Sequence, residues 1–487
     1  MRARTSGHCT KVDGRLNGVR GKISLVPMQT AKKACLITRD FLKYNRTSSS
    51  IISHVVETTD LFRLGDGGNS IARSLEKLTF AARLESGKRH LDYLEKKIKK
   101  KIAHWCPNGF DWDRFFPGSK PQLIRKAIIL KKPQADEKGA LFIAFEDNWL
   151  RLLRYGDIPQ IARDYDLIIS PSWSPPHDLA LLIVSKLWPA TLFTILSSFD
   201  DEGVFLRLAS NLKTIPLLAS SWVNAETFAP NTTLRKQYDI VILANFASYK
   251  RHFALFRALR QMDTSICVLL LGRGWAGRTR ATLEGEARLF GVFDRLTIAE
   301  GLPDREMIQA LQSAKVSVIM SLREGACVAD TESLFADVPV ALIQGTHVGS
   351  RAFINAQTGC FLRPAHIAED LAAFIQRYDR YQPRKWMLEH GTSYKESSRT
   401  LNEAIRTHAL DSGRPWTIDL LPMHWRPNAE FLSQPDRLSM LDEYDRFERV
   451  YGIAVHPPNS RCTGETAAGL DGPALPLLRA SLRAPSG

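Results

Sequence analysis

One segment, Ser321–Glu332, holds two glutamates at a spacing that suits ligand chemistry. It follows an apolar run that predicts a buried strand, and it leads into a predicted helix. Glu324 falls in the loop and Glu332 on the second helical turn, so helical rise keeps them within about 12 Å. The helix start between them offers free N–H groups and a positive dipole end, which suit a diphosphate flanked by two hydroxyl-bearing groups. An acidic first helical turn alone is the ordinary alternative.

The elements that must position this segment form two series of strands alternating with helices. The first series has predicted strands at 124–130, 140–145, 167–170 and 191–197, and the second at 239–244, 266–271, 296–299, 316–320 and 340–343. Such alternation is typical of βαβ units in parallel sheets. We therefore expect an α/β protein with two doubly wound, Rossmann-like parallel-sheet domains that face each other across a cleft, where ligands bind at the carboxyl ends of the strands.

Composition changes along the chain predict five regions. Residues 1–50 are expected to be a poorly ordered extension, and 51–232 the first Rossmann-like domain, with a basic helical region. Residues 233–380 are expected to be the second Rossmann-like domain. Residues 381–455 are expected to be a helical extension that packs back on the cleft, and 456–487, rich in Pro, Gly, Ser and Arg, a disordered tail.

The net charge of +15 is concentrated in the first quarter of the chain. Residues 1–135 hold 28 Lys and Arg against 11 Asp and Glu, a net of +17. Within a predicted helix over 69–104, Leu91, Leu94, Ile98 and Ile102 recur at helical spacing beside the basic run Lys96–Lys101. Such a helix suits an anionic membrane surface or another polyanion, and it is equally typical of a solvated helix face.

Several classes of protein are excluded or disfavoured. The most apolar stretch, Leu179–Phe199, contains Lys186 and Pro189, so no segment predicts a membrane span. We expect no secretory leader, because the first thirty residues are basic and lack a continuous apolar core. The seven cysteines include no CxxC pair, which disfavours a disulfide framework and a structural zinc site and fits a cytoplasmic protein. No metal or cofactor is expected.

The region 120–380 resembles the GT-B glycosyltransferases, in particular the large retaining family usually called family 4. That family carries a Glu-x7-Glu motif, matched by Glu324 and Glu332. The linker Trp222–Pro230 and the segment Thr358–Pro364 are also similar to the family's sequences. The likeness is specific mainly within 222–364.

The resemblance implies roles for the matching residues. Glu324 would bind the donor sugar, Glu332 the ribose, and Lys250 with Arg251 the departing diphosphate, where a cation stabilises developing charge. A solvated loop is the ordinary interpretation of Lys250-Arg251. The remaining donor-site candidates are Gly325, Ala326, Cys327, Gly272, Arg273, Gly274, Thr358 and Gly359. The resemblance also implies that residues 51–232 form the acceptor domain and 233–380 the nucleotide-sugar-binding domain. It implies metal-independent transfer without a clear general base, in which the leaving phosphate would take the proton of the acceptor.

Candidates for the acceptor side follow strands of the first series: Ser172, Trp173, His177, Asp200 and Asp201. Several positions depart from the family's pattern. Asn245 replaces the usual loop Arg, Ala326-Cys327 replaces Phe-Gly, and Asp337 lies where a Gly precedes Pro-Val. Cys327 at a helix start could be a nucleophile, but packing is the favoured interpretation because no His is near in sequence.

The resulting hypothesis is a retaining glycosyltransferase. It would move a sugar from a nucleoside-diphosphate sugar to a cell-envelope glycan or lipid-linked acceptor. We expect it in the cytoplasm, peripheral on the inner face of the plasma membrane, with no specific nucleic-acid partner. Two alternatives stay open. One is a catalytically inactive nucleotide-sugar-binding scaffold, and the other is a protein that binds polyanions or membranes through its basic N-terminal region.

Overall fold

The computed structural model describes residues 25–61, 69–85, 87–103, 122–171, 177–425 and 428–458. The described strands, numbered in chain order, are β1 Leu123–Ile124, β2 Ala127–Lys131, β3 Gly139–Ala144, β4 Tyr165–Ser170, β5 Leu192–Leu196, β6 Leu212–Leu218, β7 Tyr238–Leu243, β8 Val268–Gly272, β9 Leu296–Glu300, β10 Ala314–Ile319, β11 Val340–Ile343, β12 Gly359–Leu362, β13 Met423–Trp425, β14 Ala429–Phe431 and β15 Ala454–Val455.

The described α-helices are Leu25–Tyr44, Arg46–Leu61, Asn69–Leu84, Lys88–Ala103, Glu146–Tyr155, Ile158–Asp164, Leu179–Leu187, Glu202–Leu208, His252–Leu259, Arg280–Phe290, Asp304–Gln312, Val328–Phe335, Ile367–Gln376, Pro383–Glu389, Tyr394–Asp411 and Gln434–Tyr451. Among them, not one combines the length and the apolar character that a bilayer-spanning segment needs. The chain divides into two compact units, residues 1–45 and 46–487.

The N-terminal region is more helical than expected. Residues 25–50 were predicted to be poorly ordered, but they lie in the helices Leu25–Tyr44 and Arg46–Leu61. The single helix predicted over 69–104 is two helices, because the chain breaks around Gly87, whose N–H donates to the Glu85 carboxylate at 2.6 Å. Residues 1–24 and the tail from 459 onward lie outside the described residues.

The first sheet has the order β2-β3-β4-β5-β6, which is also the order of the strands in the sequence. Its first pair is antiparallel and the other pairs are parallel. All residues of β3, β4 and β5 are buried, as in parallel strands covered on both faces. The parallel α/β character predicted for this half is confirmed, whereas the doubly wound order is absent from its described strands.

The sequence pattern over 149–163 predicts one helix, but the structure has two helices there, and local chemistry explains the break. Gly156 follows the first helix, and Asp157 caps the second by accepting a hydrogen bond from the backbone N–H of Gln160 at 3.1 Å. Pro159 lies in the first turn of the second helix, where its missing N–H costs no hydrogen bond. The chain therefore turns between the two helices before it enters β4.

The second sheet is entirely parallel and has the order β12-β11-β10-β7-β8-β9. The chain winds outward from β7 through β8 and β9, then crosses back to β10 and winds the other way. This is the doubly wound order predicted from the sequence, with a switch point between β7 and β10.

The C-terminal segment returns to the first sheet. The hydroxyl of Tyr444 accepts a hydrogen bond from the Ile129 N–H at 3.0 Å, and Arg414 forms an ion pair with Asp166 at 2.9 Å. Crossovers between parallel strands are right-handed. When the strands follow one another in one direction, their helices therefore lie on one face of the sheet, and other segments must cover the opposite face. The extension over 381–455, which was expected to pack back on the cleft, covers the first sheet through these contacts.

Candidate active site

The candidate site lies at the switch point of the second sheet, where loops leave β7 and β10 in opposite directions. The loop after β7 contains Lys250 and Arg251, and the loop after β10 contains Glu324, Gly325 and Cys327. Ligands of open α/β sheets bind in the crevice between such loops. The structure thus brings together the two parts of the sequence that were predicted to hold a donor.

Lys250 and Glu324 form a buried ion pair across this crevice, with side chains 11% and 6% exposed. Burial alone would lower the pKa of Lys250, but the neighbouring Glu324 carboxylate raises it well above its ordinary value. Lys250 is therefore cationic at every physiological pH. The Ser321 hydroxyl also donates to Oε1 of Glu324 at 3.2 Å, whereas buried Oε2 has no hydrogen-bond partner among the described residues.

Arg251 connects the two loops through the backbone. It adopts a φ of +53°, in the left-handed region, as the residue before helix His252–Leu259. Its guanidinium Nη1 donates to the carbonyl of Met320 at 2.7 Å, immediately after β10. At least part of this side chain therefore positions the loops, a role that differs from the diphosphate contact expected from the sequence.

Helix Val328–Phe335 begins inside the site. Cys327 precedes it with a φ of +48°, and Glu332 lies half-buried on its second turn. Burial raises the pKa of the Cys327 thiol well above its usual range, and the carboxylates of Asp330 and Glu324 raise it further. The thiol is therefore protonated, which supports a packing role for Cys327 over a nucleophilic one.

Asp330 and Ser350 belong to this cluster, although neither was singled out in the sequence. Asp330 is fully buried and accepts a hydrogen bond from the Ser350 hydroxyl through Oδ2, while its Oδ1 has no partner among the described residues. Burial raises the pKa of Asp330 to about 7 despite that hydrogen bond. A sequence signal for Asp330 was present, because it lies in the first turn of helix Val328–Phe335, on the face that packs against the core.

His252, the first residue of its helix, follows Lys250 and Arg251 directly in the sequence and is a second buried group at the site. It is 1% exposed, and within the described part of the chain both ring nitrogens lack hydrogen-bond partners. Burial lowers its pKa to about 3, helped by the charges of Arg278 and Lys250. The imidazole is therefore neutral beside the cationic Lys250.

The glycines at the site allow close backbone packing. A Cβ on Gly272, at the end of β8, would lie 1.9 Å from the carbonyl oxygen of Ala244 after β7. Arg273 accepts a backbone hydrogen bond from Phe246 at 2.9 Å, and Gly274 donates to Glu300 at 2.9 Å. These three residues join the carboxyl ends of β7, β8 and β9, on the β7 side of the crevice. Gly325 and Ala326 are buried in the opposite loop.

Thr358 and Gly359 lie at the amino-terminal end of β12. The Thr358 hydroxyl donates to the carbonyl of Phe353 at 2.5 Å, and a Cβ on Gly359 would lie 1.8 Å from the carbonyl oxygen of Val340. Lys250 and Glu324 follow the opposite, carboxyl ends of their strands. The contacts of Thr358 and Gly359 therefore hold the sheet together behind the site.

Of the acceptor-side candidates, Ser172 and Trp173 lie outside the described residues. His177 is buried, and its Nε2 is 2.9 Å from the carboxylate of Glu95 in helix Lys88–Ala103. Glu95 also accepts a hydrogen bond from Arg207 at 3.1 Å. His177 thus ties the N-terminal helices to the first sheet.

Asp200 and Asp201 contact loops of the second sheet. Asp200 lies 3.1 Å from Arg351, and Asp201 lies 3.2 Å from Nε2 of His347. Between these pairs, a Cβ on Gly349 would lie 1.8 Å from the carbonyl oxygen of Ser197. The end of β5 therefore packs directly on the loop that leads to Ser350. This is a different arrangement from an open acceptor surface at Asp200 and Asp201.

Two departures from the family's pattern have local explanations. Asp337 adopts a φ of +58°, a conformation that glycine favours and aspartate tolerates better than most residues. The Asn245 side chain accepts a hydrogen bond from the Ala247 N–H at 3.2 Å and so stabilises the turn after β7. Both substitutions preserve the local backbone.

Comparisons with known proteins give the site a context. Residues 224–384 match the family described as Glycosyl transferases group 1. Among solved structures, sucrose-phosphate synthase from Thermosynechococcus elongatus is 17% identical, with a TM-score of 0.45 over 56% of this chain and 74% of that chain. Anabaena HepE in complex with UDP is 14% identical, with a TM-score of 0.44 over 56% and 78%. A search of curated protein sequences finds no relative of the chain.

The matched residues run from the linker at Asn224 to Arg384 at the start of helix Pro383–Glu389. They contain the second sheet, its switch point and the Lys250–Glu324 pair. They also contain the segment 222–364, apart from its first two residues, on which the resemblance was most specific. The family match agrees with the resemblance found in the sequence: over residues 224–384, about a third of the chain, this protein is similar to the glycosyl transferases group 1.

Proposed function

We propose that this protein is a glycosyltransferase that moves a sugar from a nucleoside-diphosphate sugar, with retention at the anomeric carbon, to a glycan or lipid-linked acceptor of the cell envelope. One observation carries the donor part of the proposal. The buried Lys250–Glu324 pair lies at the switch point and leaves Oε2 of Glu324 without a hydrogen-bond partner among the described residues. A buried carboxylate oxygen in that state suits the hydroxyl groups of a sugar.

In this proposal, Lys250 stabilises the charge that develops on the departing diphosphate. Its ammonium is fixed in place and shielded from water, so its effect on a neighbouring anion is larger than in solution. The first N–H groups of helix Val328–Phe335 have no partners inside the helix and add further donors. Glu332, on the second turn of that helix, accepts hydrogen bonds from the ribose.

The proton balance needs no separate base. The bond from the anomeric carbon to the diphosphate oxygen breaks, and the acceptor oxygen bonds to the same face of the sugar. The diphosphate then takes the proton that the acceptor hydroxyl loses. Arg251 keeps the Lys250 loop in register with β10 through the Met320 carbonyl, so it acts as a positioning residue for Lys250.

The acceptor part of the proposal depends on the basic N-terminal region. In helix Lys88–Ala103, Leu94 and Ile98 are buried, whereas Lys96, Lys99 and Lys100 are exposed. The apolar face of this helix is therefore covered by protein, so the lysines would attract an anionic acceptor or membrane surface by charge and not by insertion. Such attraction is screened by salt.

The donor site can be tested by thermal shift with UDP-, GDP-, ADP- and dTDP-sugars. A ligand at about 100 times its dissociation constant stabilises by about 2.7 kcal/mol. We expect one nucleotide class to stabilise the protein, and Glu332→Gln to remove that shift. Glu306→Gln, an exposed glutamate of helix Asp304–Gln312, is the matched control and should respond like the wild type.

Stereochemistry and acceptor need separate measurements. Slow hydrolysis of the stabilising donor, followed by NMR of the released sugar before mutarotation, should give the donor's own anomer. The inverted anomer would exclude retention. If no nucleotide sugar shifts the wild type, the donor site is wrong as proposed.

A further inference from the structure

A second cluster of ligating side chains lies among the N-terminal helices, outside residues 224–384, which match the glycosyl transferases group 1. His54 and Glu57 are one helical turn apart in helix Arg46–Leu61, and His90 lies near the start of helix Lys88–Ala103. One ligand atom from each side chain lies within 4.8 Å of the other two. Packing of the two helices brings these residues together although more than thirty residues separate them in sequence.

The distances suit a first-row divalent metal. Oε2 of Glu57 lies 3.4 Å from Nε2 of His90. Ligands bound to tetrahedral zinc at about 2.1 Å from the ion lie about 3.4 Å from each other. The His54 ring lies beside the His90 ring, with centroids 3.8 Å apart. Nε2 of His90 is buried and, within the described part of the chain, has no hydrogen-bond partner.

The neighbouring groups orient the cluster. Lys97 donates to Oε1 of Glu57 at 2.6 Å, which leaves Oε2 directed toward His90. Oε2 of the buried Glu85 carboxylate lies 3.9 Å from Nε2 of His90 and accepts a hydrogen bond from Ser53 at 2.6 Å. Groups that hydrogen-bond to metal ligands, without binding the metal themselves, fix those ligands in position. Two carboxylates against one lysine also leave net negative charge for a cation.

We propose that His54, Glu57 and His90 bind a divalent transition metal of the zinc type, with Glu85 or water in the fourth position. Two imidazoles and a carboxylate are a ligand set that zinc accepts readily. The metal would connect helix Arg46–Leu61 to helix Lys88–Ala103 and so stiffen the basic region. This inference does not depend on the proposed donor site.

The experiment uses the full chain without a histidine tag. Its zinc content is measured after dialysis, and its zinc affinity by competition with a chromophoric chelator. We expect one zinc ion per chain and a higher melting temperature with zinc. His54→Gln should weaken binding by at least about 100-fold, since even changes to groups that only hydrogen-bond to the ligands cost about 10–100-fold. His54 is exposed, so this variant is expected to fold.

His366→Gln is the matched control, because His366 also faces a glutamate, Glu369, at 3.0 Å in an exposed pair. It should bind zinc like the wild type. The proposal is overturned if the wild type holds no stoichiometric zinc, as expected for a plain His90–Glu57 ion pair. It is also overturned if His54→Gln binds as tightly as the wild type. Nucleotide-sugar binding, measured in parallel, should be the same in all three proteins.

Discussion

The two sheets of this protein are both built from buried parallel strands, but they differ in strand order. In the second sheet the chain winds outward from β7 in one direction and from β10 in the other, so the loops after these strands diverge. In the first sheet the chain advances from β2 to β6 without reversing. Only the second sheet, among the described strands, therefore has a crevice at a switch point, and Lys250 and Glu324 lie there.

The ends of the first sheet serve a different purpose. Ser197, Asp200 and Asp201 follow β5 and contact Gly349, Arg351 and His347 in loops of the second sheet. One sheet thus supplies a buried charged cluster, and the other supplies a surface that packs beside it. Strand order, and not residue type alone, decides which sheet end can receive a ligand.

The largest expected effect comes from removing the countercharge at the switch point. Glu324→Gln leaves Lys250 as a buried cation without its carboxylate. We expect the free energy of unfolding, measured in urea, to fall by about 3–5 kcal/mol.

The double variant Lys250→Met with Glu324→Gln should recover most of that loss, because neutral side chains of similar size remove the unpaired charge. An equally unstable double variant would show that the pair is not the source of the effect. The buried ion pair would then not be what distinguishes the switch point of the second sheet from the ends of the first sheet.

The next effect is pH-dependent and comes from Asp330, whose pKa burial raises to about 7. An unfolded Asp releases its proton near pH 4, so between pH 4 and 7 the folded state binds more protons. The contribution of Asp330 to wild-type stability therefore falls with rising pH across this window and levels off above it. Relative to the wild type, Asp330→Asn should gain roughly 2–4 kcal/mol from pH 4 to 7.

Paired urea titrations at several pH values measure this difference. His252, with a pKa lowered to about 3, contributes the opposite slope below pH 6.5 in both proteins, so the comparison cancels it. A stability difference that stays constant with pH would contradict a protonated Asp330.

The contact between the two halves gives a third test. Gly349→Ala places a Cβ 1.8 Å from the carbonyl of Ser197, so one backbone must move. We expect a loss of about 1–3 kcal/mol in thermal or urea unfolding, together with weaker donor binding, because Gly349 adjoins Ser350 and Asp330.

Gly285→Ala is the matched control. Gly285 lies inside helix Arg280–Phe290, and nothing lies within 4 Å of an added Cβ. This change should stabilise the protein by about 0.5–1 kcal/mol. If both alanines stabilise the protein alike, the β5 end does not pack on the 349 loop as described.

The smallest effect is expected at the exposed ion pair of Asp200 and Arg351, whose side chains are 58% and 43% exposed. Asp200→Asn should cost less than about 1 kcal/mol, and salt should reduce the difference. Melting temperatures at about 50 mM and 500 mM salt, between which the Debye length falls roughly threefold, test this. A large loss of stability that does not depend on salt would mean that Asp200 makes a buried contact and not only an exposed ion pair.

Much of the second sheet was predictable because each of its strands is a short apolar run bounded by turn residues. Predicted strand ends there lie within two residues of the observed ends, and β11 agrees at both ends. In contrast, β6 was missed. It is an edge strand that contains Pro216 and exposed Lys213, so it lacks the continuous apolar pattern of its neighbours.

The sequence by itself determined the alternation of strands and helices, and with it the strand ends after which Lys250 and Glu324 lie. It did so because burial of a parallel strand leaves a local apolar signature. Only the tertiary structure decided that Ser350 joins that pair, and that Asp200 and Asp201 face the other sheet. These contacts depend on strand order and on packing between distant segments, and neither leaves a periodic trace in a single sequence.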